Sequence, residues 1–264
     1  MGARGTAFAS DFDGTLCESD WETRTQTIKP ADVEAVRRYQ REGGLFGICT
    51  GRAFDSAAEP LEGIIEPDFY IVTTGAQIYL KDQGFILDAE IDREVARSIA
   101  EHFYDREGAR LVVVSGTEFL TVGASRYSMR EVASIDEVEG PITGVSLEFN
   151  GDIEAAARAQ VEVERVFGDS VSAFQNLSSV DIVRAGCSKG TGTKRVKEVF
   201  GCSSIAGIGD SYNDLALLRA ADVAYTFHKA PVEVQAAADA VVDSVAEALA
   251  HFCGWQGASA RQKS

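Results

Sequence analysis

The sequence has few of the residues that usually bind zinc or copper. Its 264 residues include only three histidines and five cysteines, and no two cysteines form a CxxC pair. This spacing excludes the common zinc-ligand patterns. An odd number of thiols without such pairs is instead typical of free cysteines in a reducing cytosol.

Basic residues are also scarce. The chain has 25 Lys and Arg against 41 Asp and Glu, which gives a formal net charge of −16. Proteins that bind nucleic acids usually present a basic surface, because neutralised phosphates supply much of the affinity. We therefore expect no nucleic-acid partner. An acidic protein that binds a phosphate ester would need a cation or local basic groups to offset the charge.

Long apolar runs are missing as well. The sequence contains no stretch of about 18 apolar residues, and its first residues lack the apolar segment of a signal peptide. The start MGARGT fits a loose myristoylation pattern. However, the apolar run TAFASDF already begins at Thr6, which leaves little free arm for a lipid anchor. We expect a soluble, cytoplasmic protein with no membrane partner.

Both ends of the chain alternate short apolar strands with helices. Three segments are typical of buried strands: TAFASDF (6–12), LFGICT (45–50) and DFYIVTT (68–74). The same alternation of strands and helices returns after Gly186. Strands that alternate with helices predict a parallel sheet covered by helices. The middle of the chain instead combines hairpins with helices, which is typical of an α+β unit.

These patterns predict an α/β fold with two domains. A Rossmann-like core with a parallel sheet would be formed by residues 1–81 and 185–264. An α+β cap domain with an antiparallel sheet would be inserted over residues 82–184. Domains inserted in this way often close over a cleft.

Acidic and hydroxyl side chains follow three of the predicted core strands. DFDGT contains Asp11 and Asp13, CTGR contains Thr50 and Gly51, and GDSYND contains Asp210, Asn213 and Asp214. Ligands of open α/β sheets bind beyond the carboxyl ends of the strands, so these residues should meet at one edge. Clustered carboxylates repel one another unless a cation lies among them. Because the donors are all oxygens, the pattern favours Mg²⁺ over zinc or copper.

Lys189 lies in SKGTG, where a helix is predicted to begin. A lysine at a helix N-terminus forms a local site for an anion. We therefore expect Lys189 to lie near a bound phosphate.

The motifs DFDGTL (11–16), CTGR (49–52), SKG (188–190) and GDSYND (209–214) resemble, in order, the four motifs of the haloacid-dehalogenase-like superfamily. The position of the insert, after the third core strand, resembles the Cof-type sugar-phosphatase branch with its large α/β cap. The segments TTGAQI and VAYTFHKAP are similar to stretches that flank the motifs in that branch. The resemblance covers the whole core. The cap resembles that of the family only in its size and in its order of predicted strands and helices.

The resemblance implies roles for the residues of the four motifs. Asp11 would attack phosphorus and become an aspartyl phosphate, and Asp13 would protonate the leaving oxygen and then activate water. Lys189 would offset the charge on the nucleophile and on the phosphoryl group. Thr50, the amide of Gly51 and Asn213 would hold the phosphoryl oxygens together with Lys189. The metal site would be formed by Asp11, the carbonyl of Asp13, Asp210 and Asp214, the last of which would orient metal waters or Lys189.

The activity implied by the resemblance is that of a Mg²⁺-dependent phosphatase. Its substrate would be a small phosphorylated metabolite such as a sugar phosphate, hydrolysed through an aspartyl phosphate. A phosphotransferase or sugar-phosphate mutase that uses the same aspartate, a non-catalytic phospho-receiver module and a dehalogenase are alternatives. Sugar phosphates, pyridoxal phosphate, phosphoglycolate-like acids and nucleotides all stay open as substrates. The sequence does not indicate an oligomeric state.

Several other residues are less informative. Thr74 stands where the family often has Asn, and its shorter reach puts a substrate contact at that position in doubt. Arg52 is expected to be a surface helix residue, and Cys17 and Cys49 to be structural. Cap residues that could meet an anionic substrate, but are expected at the surface, are Arg126, Arg130 and Arg184. His102 and His228 are expected to be incidental.

Overall fold

The computed structural model describes residues 2–20, 25–104, 106–124, 129–255 and 261–262. The strands are, in chain order, β1 (Thr6–Ser10), β2 (Cys17–Asp20), β3 (Thr25–Ile28), β4 (Leu45–Cys49), β5 (Phe69–Val72), β6 (Gln77–Leu80), β7 (Gly84–Asp88), β8 (Arg110–Ser115), β9 (Glu118–Val122), β10 (Arg130–Val132), β11 (Ile142–Glu148), β12 (Val171–Asn176), β13 (Ser179–Arg184), β14 (Ser204–Ile208), β15 (Val223–Phe227), β16 (Ala240–Val242) and β17 (Arg261–Gln262). The α-helices are α1 (Pro30–Arg41), α2 (Phe54–Ala58), α3 (Arg93–Phe103), α4 (Ile153–Phe167), α5 (Lys189–Phe200), α6 (Leu215–Ala220), α7 (Val232–Ala237) and α8 (Val245–Cys253). Within these ranges, every helix is too short or too polar to cross a bilayer.

A nine-stranded sheet, which we call the core sheet, has the order β17-β16-β15-β14-β1-β4-β5-β6-β7. The strands from β16 to β5 are parallel, whereas β6, β7 and β17 are antiparallel to their neighbours. The central strand β1 is buried along its whole length because helices cover both faces of the sheet. Phe8 packs with residues of α1 and α8 on one face, while Ala7 and Ala9 pack with Val196 of α5 on the other.

A six-stranded sheet, which we call the cap sheet, has the order β10-β9-β8-β11-β13-β12. Its pairs are antiparallel except for β9 and β10. One face packs its apolar side chains, such as Val113 and Ile182, against α3 and α4. Because side chains alternate along a strand, the residues between them face the opposite way. That opposite face lines a large cavity.

The predicted start of the insert at residue 82 differs from the sheet boundary in the structure. The hairpin of β6 and β7 was expected from the sequence, but it extends the core sheet as far as Asp88. The reason is its apolar face, since Ile78 and Leu80 continue the core cluster formed with Phe69. The cap sheet begins only with β8.

The helical segment that follows β4 is short. The α-helix α2 ends at Ala58, and a 3₁₀ turn follows at Glu59–Leu61. Pro60 lacks the amide hydrogen that a continuing α-helix would require. At the other edge of the core sheet, residues 261–262 pair with β16.

We predict that Phe8→Ala destabilises the fold strongly. Phe8 is fully buried and contacts the rings of Tyr39, Phe46, Tyr225 and Phe252. Removal of a buried aromatic ring typically costs about 3–5 kcal/mol, partly because a cavity remains. Phe85→Ala is the matched control, since Phe85 is 39% exposed. Urea denaturation followed by circular dichroism should show a much larger loss for Phe8→Ala, and equal losses would contradict this description of the core.

Candidate active site

Asp11 lies at the carboxyl edge of the core sheet, directly after β1. Its amide donates a hydrogen bond to the carbonyl of Ile208 at 2.9 Å, which joins the ends of β1 and β14. Its carboxylate is buried and accepts a hydrogen bond from Lys189 Nζ at 2.8 Å. The parallel pairing of two neighbouring strands thus brings the first and fourth motifs to the same point.

Lys189 is the first residue of α5, and its side chain is fully buried. The helix start is fixed by a capping box in which Ser188 and Thr191 exchange side-chain and backbone hydrogen bonds. Lys189 Nζ donates to Asp11 Oδ1 and, at 2.6 Å, to Asp214 Oδ1. Burial alone would lower the pKa of Lys189, but the charges of the two aspartates outweigh it and raise that pKa well above its usual range. The lysine is therefore a fixed positive charge.

Three carboxylates meet at this edge. Asp11, Asp210 and Asp214 each offer an oxygen within 4.8 Å of the other two. Burial raises the pKa of Asp11, and the charge of Asp214 raises it further. Burial and Asp214 raise the pKa of Asp210 in the same way. Since Lys189 and Lys229 together do not neutralise three acids, the cluster has the charge and the oxygen donors to hold a divalent cation.

The three acids are not equivalent. Both oxygens of Asp214 are already used, because Oδ2 accepts hydrogen bonds from the amides of Asp210 and Ser211. Asp214 is fully buried and folds the loop after β14 back onto Lys189. Asp210, by contrast, contacts Lys229 Nζ at 3.5 Å and Thr15 at 3.4 Å. Asp214 thus positions the cluster, whereas Asp11 and Asp210 are better placed to bind a cation.

Gly14 makes room for this cluster. Its φ is +75°, and a Cβ there would lie 2.5 Å from Asp210 Oδ2. A side chain at this position would suffer both backbone strain and a clash. The short turn after Asp13 is therefore restricted to glycine.

Asp13 lies beside the three acids but outside their cluster. Arg52 donates from Nε and Nη2 to its two carboxylate oxygens at 2.7 Å each, and Ser19 donates to Oδ1 at 2.8 Å. The guanidinium of Arg52 also lies over the ring of Phe12. Bidentate pairing of this kind fixes both distance and orientation. The carboxylate of Asp13 is thus not a member of the metal cluster, and the use of its carbonyl as a ligand stays a prediction.

The expectation that Arg52 is an ordinary surface residue was wrong. It is only 8% exposed, because the turn after β4 directs it towards Asp13 rather than into solvent. Sequence reasoning missed Arg52 although it follows Thr50 and Gly51 in the CTGR motif. Ser19 was missed too, since its contact depends on the hairpin of β2 and β3.

The predicted phosphate-binding residues line one cavity with the two aspartates of the first motif. Thr50, Gly51 and Asn213 contribute to its wall, together with Asp11 and Asp13. Thr50 is 2% exposed, and its hydroxyl accepts a hydrogen bond from the amide of Arg52 at 3.2 Å. Lys189 and Asp214 lie behind this wall. The structure therefore brings together all eight residues that the four motifs singled out.

The cavity has a volume of about 630 Å³ and is bounded by both sheets. Apolar side chains of the cap sheet, including Val112, Val114 and Phe119, form part of the wall. Polar side chains that the sequence analysis missed form another part: Ser146, Glu148, Asn176, Ser179 and Asp181. The alternation of polar and apolar residues in β13 was a usable signal, but it did not reveal which face turns towards the site.

Thr73 and Thr74 connect the core edge with the cap. Both have left-handed φ values, 48° and 50°, which are uncommon for β-branched residues. The hydroxyl of Thr74 donates to Asp181 Oδ2 at 3.4 Å. The contact of Thr74 in this structure is therefore with the cap sheet.

The remaining candidates do not join the site. Arg184 lines a different cavity, Arg130 is exposed, and Arg126 lies outside the described residues. His102 pairs with Glu162 on the cap at 2.8 Å, and His228 is exposed. Burial raises the pKa of the Cys49 thiol to about 12, which agrees with a structural role.

Comparisons with known proteins agree with this arrangement. The chain is 25% identical to phosphoglycolate phosphatase 2 of Saccharolobus solfataricus, over 92% of this chain and 88% of that protein. It is 24% identical to a pyridoxal phosphate phosphatase of Escherichia coli, over 92% of this chain and 96% of that protein.

Solved structures share the fold. A subclass IIB sugar phosphatase, BT4131, superposes with a TM-score of 0.77 at 21% identity, covering 94% of this chain and 98% of that one. A haloacid dehalogenase-like hydrolase from B. subtilis gives a TM-score of 0.79 at 20% identity, with coverages of 95% and 99%. The predicted α/β fold with a Rossmann-like core is thereby confirmed. The family described as haloacid dehalogenase-like hydrolase matches residues 8–252, and the protein therefore belongs to that family.

Proposed function

We propose that the protein is a magnesium-dependent phosphatase that hydrolyses a small phosphorylated metabolite by way of an aspartyl phosphate on Asp11. The observation that carries the proposal is the buried Lys189, which holds Asp11 at the end of a cavity that also contains Asp13. The relatives named as phosphatases of phosphoglycolate and pyridoxal phosphate support a phosphoric monoester as the substrate.

In the first step, Asp11 would act as the nucleophile. Lys189 occupies Asp11 Oδ1, which leaves Oδ2 available to attack phosphorus. The new bond joins Oδ2 to phosphorus, and the bond from phosphorus to the ester oxygen breaks. Asp13 supplies a proton to that oxygen, so that it leaves as an alcohol. Lys189 offsets the negative charge that the phosphoryl group brings next to the carboxylates.

In the second step, Asp13 would act as a base. Having lost its proton, its carboxylate takes one from a water molecule, whose oxygen attacks phosphorus. The bond between phosphorus and Asp11 breaks, and inorganic phosphate leaves. Arg52 and Ser19 hold the ionised carboxylate of Asp13, which is the form that accepts the proton in this step. Thr50, the amide of Gly51 and Asn213 would hold the phosphoryl oxygens meanwhile.

Asp11, Asp210 and the carbonyl of Asp13 would hold Mg²⁺, with Asp214 as the residue that orients the cluster. The donor set fits a hard cation, because it consists of oxygens alone. When bound, Mg²⁺ would neutralise charge on the phosphoryl oxygens and among the acids.

We also propose the cytoplasm as the location. All five cysteines are free, three of them buried, and no disulfide joins any of the described residues. Unpaired thiols are typical of a reducing compartment. We further propose two domains, as the sequence predicts, with a core of residues 1–81 and 185–264 and a cap inserted over 82–184, although β7 at the start of that insert pairs with the core sheet.

We predict that Mg²⁺ stabilises the protein more at high pH than at low pH. The folded protein raises the pKa of Asp11 and Asp210 above 3.8. Protonation of these acids therefore favours folding at low pH, and this contribution is lost as the pH rises through the raised folded values. Mg²⁺ requires the ionised forms, so its stabilising effect should grow over the same rise. At 100 times Kd the gain would be about 2.7 kcal/mol.

The measurement is thermal unfolding with Mg²⁺ and with EDTA, between about pH 5 and about pH 8. Asp210→Asn should lose most of the shift. Asp82→Asn, an exposed acid in the turn between β6 and β7, is the matched control and should keep it. If Asp210→Asn gains as much from Mg²⁺ as the unchanged protein, the proposed metal site is wrong.

We predict that Asp11→Asn abolishes phosphate release and that Asp13→Asn slows it by about 10²- to 10⁴-fold. Because the second step needs a base, Asp13→Asn should also accumulate phosphate on Asp11, detectable by intact-protein mass spectrometry. The assay is phosphate release from a panel of phosphate esters with Mg²⁺ and with EDTA. Asp82→Asn should release phosphate at the normal rate.

Three outcomes would speak against this mechanism. If Asp11→Asn kept nearly normal activity, Asp11 would be excluded as the nucleophile. Transfer of phosphate to another acceptor without free phosphate would indicate a phosphotransferase or mutase. A phosphorylated protein that is stable for hours would indicate a receiver module.

A further inference from the structure

The wall of the cavity opposite the core edge is formed by alternate residues of the cap sheet. In β13, Val180 packs in the cap core, Ser179 and Asp181 line the cavity, and Ile182 borders both. In β11, Ser146 lies directly opposite Asp181 in the strand register. The fold therefore directs a carboxylate of the cap towards the predicted phosphate-binding residues.

Asp181 lies close to the core edge. A Cβ placed on Gly51 would be 2.7 Å from Asp181 Oδ2, so the carboxylate is next to the turn that follows Thr50. Its Oδ1 accepts a hydrogen bond from Ser146 at 3.1 Å, and its Oδ2 accepts the longer one from Thr74. The side chain of Asn176 also hydrogen-bonds Asp181, and all three of these partners are neutral. In the part of the chain that the structure describes, no Lys or Arg forms an ion pair with Asp181.

The carboxylate retains capacity for a ligand. A carboxylate offers about four lone pairs to hydrogen-bond donors. The contact of Oδ2 with Thr74 is at the long end of the range for hydrogen bonds between oxygens. Burial raises the pKa of Asp181, which shows that its surroundings compensate its charge only partly. A donor group on a ligand would improve that compensation.

The same wall offers no counter-charge for an acidic ligand. Of the described residues that line the cavity, Arg52 is the only Lys or Arg, and it is held by Asp13. Glu148, the other cap carboxylate in the wall, is paired with Arg110 at 2.8 Å. A second carboxylate brought in by a substrate would lie near Asp181 and would be repelled.

We propose that Asp181 is the specificity-determining residue of this cavity, which accepts hydrogen bonds from hydroxyl or ammonium groups of the substrate and disfavours phosphate esters that carry a carboxylate. This inference rests on the proposed phosphatase function. We therefore expect this protein to prefer other substrates than the one named for its Saccharolobus relative, because phosphoglycolate carries a carboxylate beside its phosphate. It assigns substrate choice to the cap and leaves the chemistry with the core.

The competing explanation is that Asp181 only joins the cap to Thr74. Asp181→Asn distinguishes the two, because the amide oxygen can still accept a hydrogen bond from Thr74 while the charge is lost. Glu118→Gln is the matched control, since it removes a charge from an exposed position of the same sheet. Ser146→Ala is a second variant, which removes one donor from Asp181 but keeps its charge, so the preference for a hydroxyl-bearing ester over a carboxylate-bearing one should persist.

The experiment uses three esters: sorbitol 6-phosphate, which carries hydroxyls, 2-phosphoglycolate, which carries a carboxylate, and p-nitrophenyl phosphate, which carries neither. Each of the first two is measured as substrate and as a competitor of p-nitrophenyl phosphate hydrolysis. The unchanged protein should bind sorbitol 6-phosphate at least about tenfold more tightly than 2-phosphoglycolate. Asp181→Asn should weaken the former by about 10- to 100-fold, mainly in KM, and strengthen the latter. Hydrolysis of p-nitrophenyl phosphate should change by less than about threefold, and Glu118→Gln should alter nothing.

Several results would overturn the inference while the phosphatase proposal stands. The unchanged protein could bind neither sorbitol 6-phosphate nor 2-phosphoglycolate, or it could prefer 2-phosphoglycolate. Asp181→Asn could leave the ratio of the affinities for these two esters unchanged, or it could lose activity equally on all three esters. The last of these would indicate the structural role through Thr74. Absence of Mg²⁺-dependent hydrolysis of any ester by the unchanged protein would instead overturn the proposed function, and the inference with it.

Discussion

The ammonium group of Lys189, buried between Asp11 and Asp214, is the interaction on which the rest of the site depends. A buried charge is costly unless it is paired and hydrogen-bonded, and removal of one partner of such a group typically costs about 3–5 kcal/mol. Lys189 therefore fixes the end of β1, the start of α5 and the loop after β14 relative to one another. The acids keep excess negative charge, because Lys189 pairs with Asp11 and Asp214, and Lys229 contacts only Asp210. The feature that makes the cluster rigid is thus also the one that makes it attract a cation.

The core sheet determines where this charge cluster forms. Ser10 and Ile208 are partners in the parallel pairing of β1 and β14, so the next residues of both strands leave the sheet at the same edge. Backbone pairing thereby brings together two segments that lie nearly 200 residues apart in sequence. Asp214 completes the arrangement, because its carboxylate binds two amides of the loop that would otherwise be free to move. Backbone pairing brings the acids near each other, and the buried ion pairs set their distances.

The part of this arrangement that is local in sequence could be predicted. The core strands are continuous apolar runs, and most of the motif residues follow directly after them, so both the fold class and the meeting of the eight candidate residues at one edge could be predicted from the sequence. Arg52 could not, because its burial depends on where a separate turn directs Asp13. The hairpin of β6 and β7 was recognised as a hairpin, but the sheet that it joins depends on packing against Phe69. Asp181 was missed for a related reason, since alternation reveals two faces of a strand but not which of them turns towards the core edge.

The contacts between cap and core explain how chemistry and substrate choice can be separated. Thr73 lies so close to β11 that a Cβ at Gly144 would be 2.6 Å from its methyl carbon, so glycine is required there. The cap also touches the core edge through polar contacts, such as Gln77 with the carbonyl of Gly116 and Thr117 with Asp55. None of these residues belongs to the Lys189 cluster. The polar residues of the cap sheet that line the cavity, such as Ser146 and Asp181, lie outside the apolar cap core and do not contact Lys189 or its two aspartates, so they can change without loss of either. Substitution at positions such as Ser146 and Asp181 would then alter which substrate is accepted, while the buried lysine and its two aspartates keep the same chemistry.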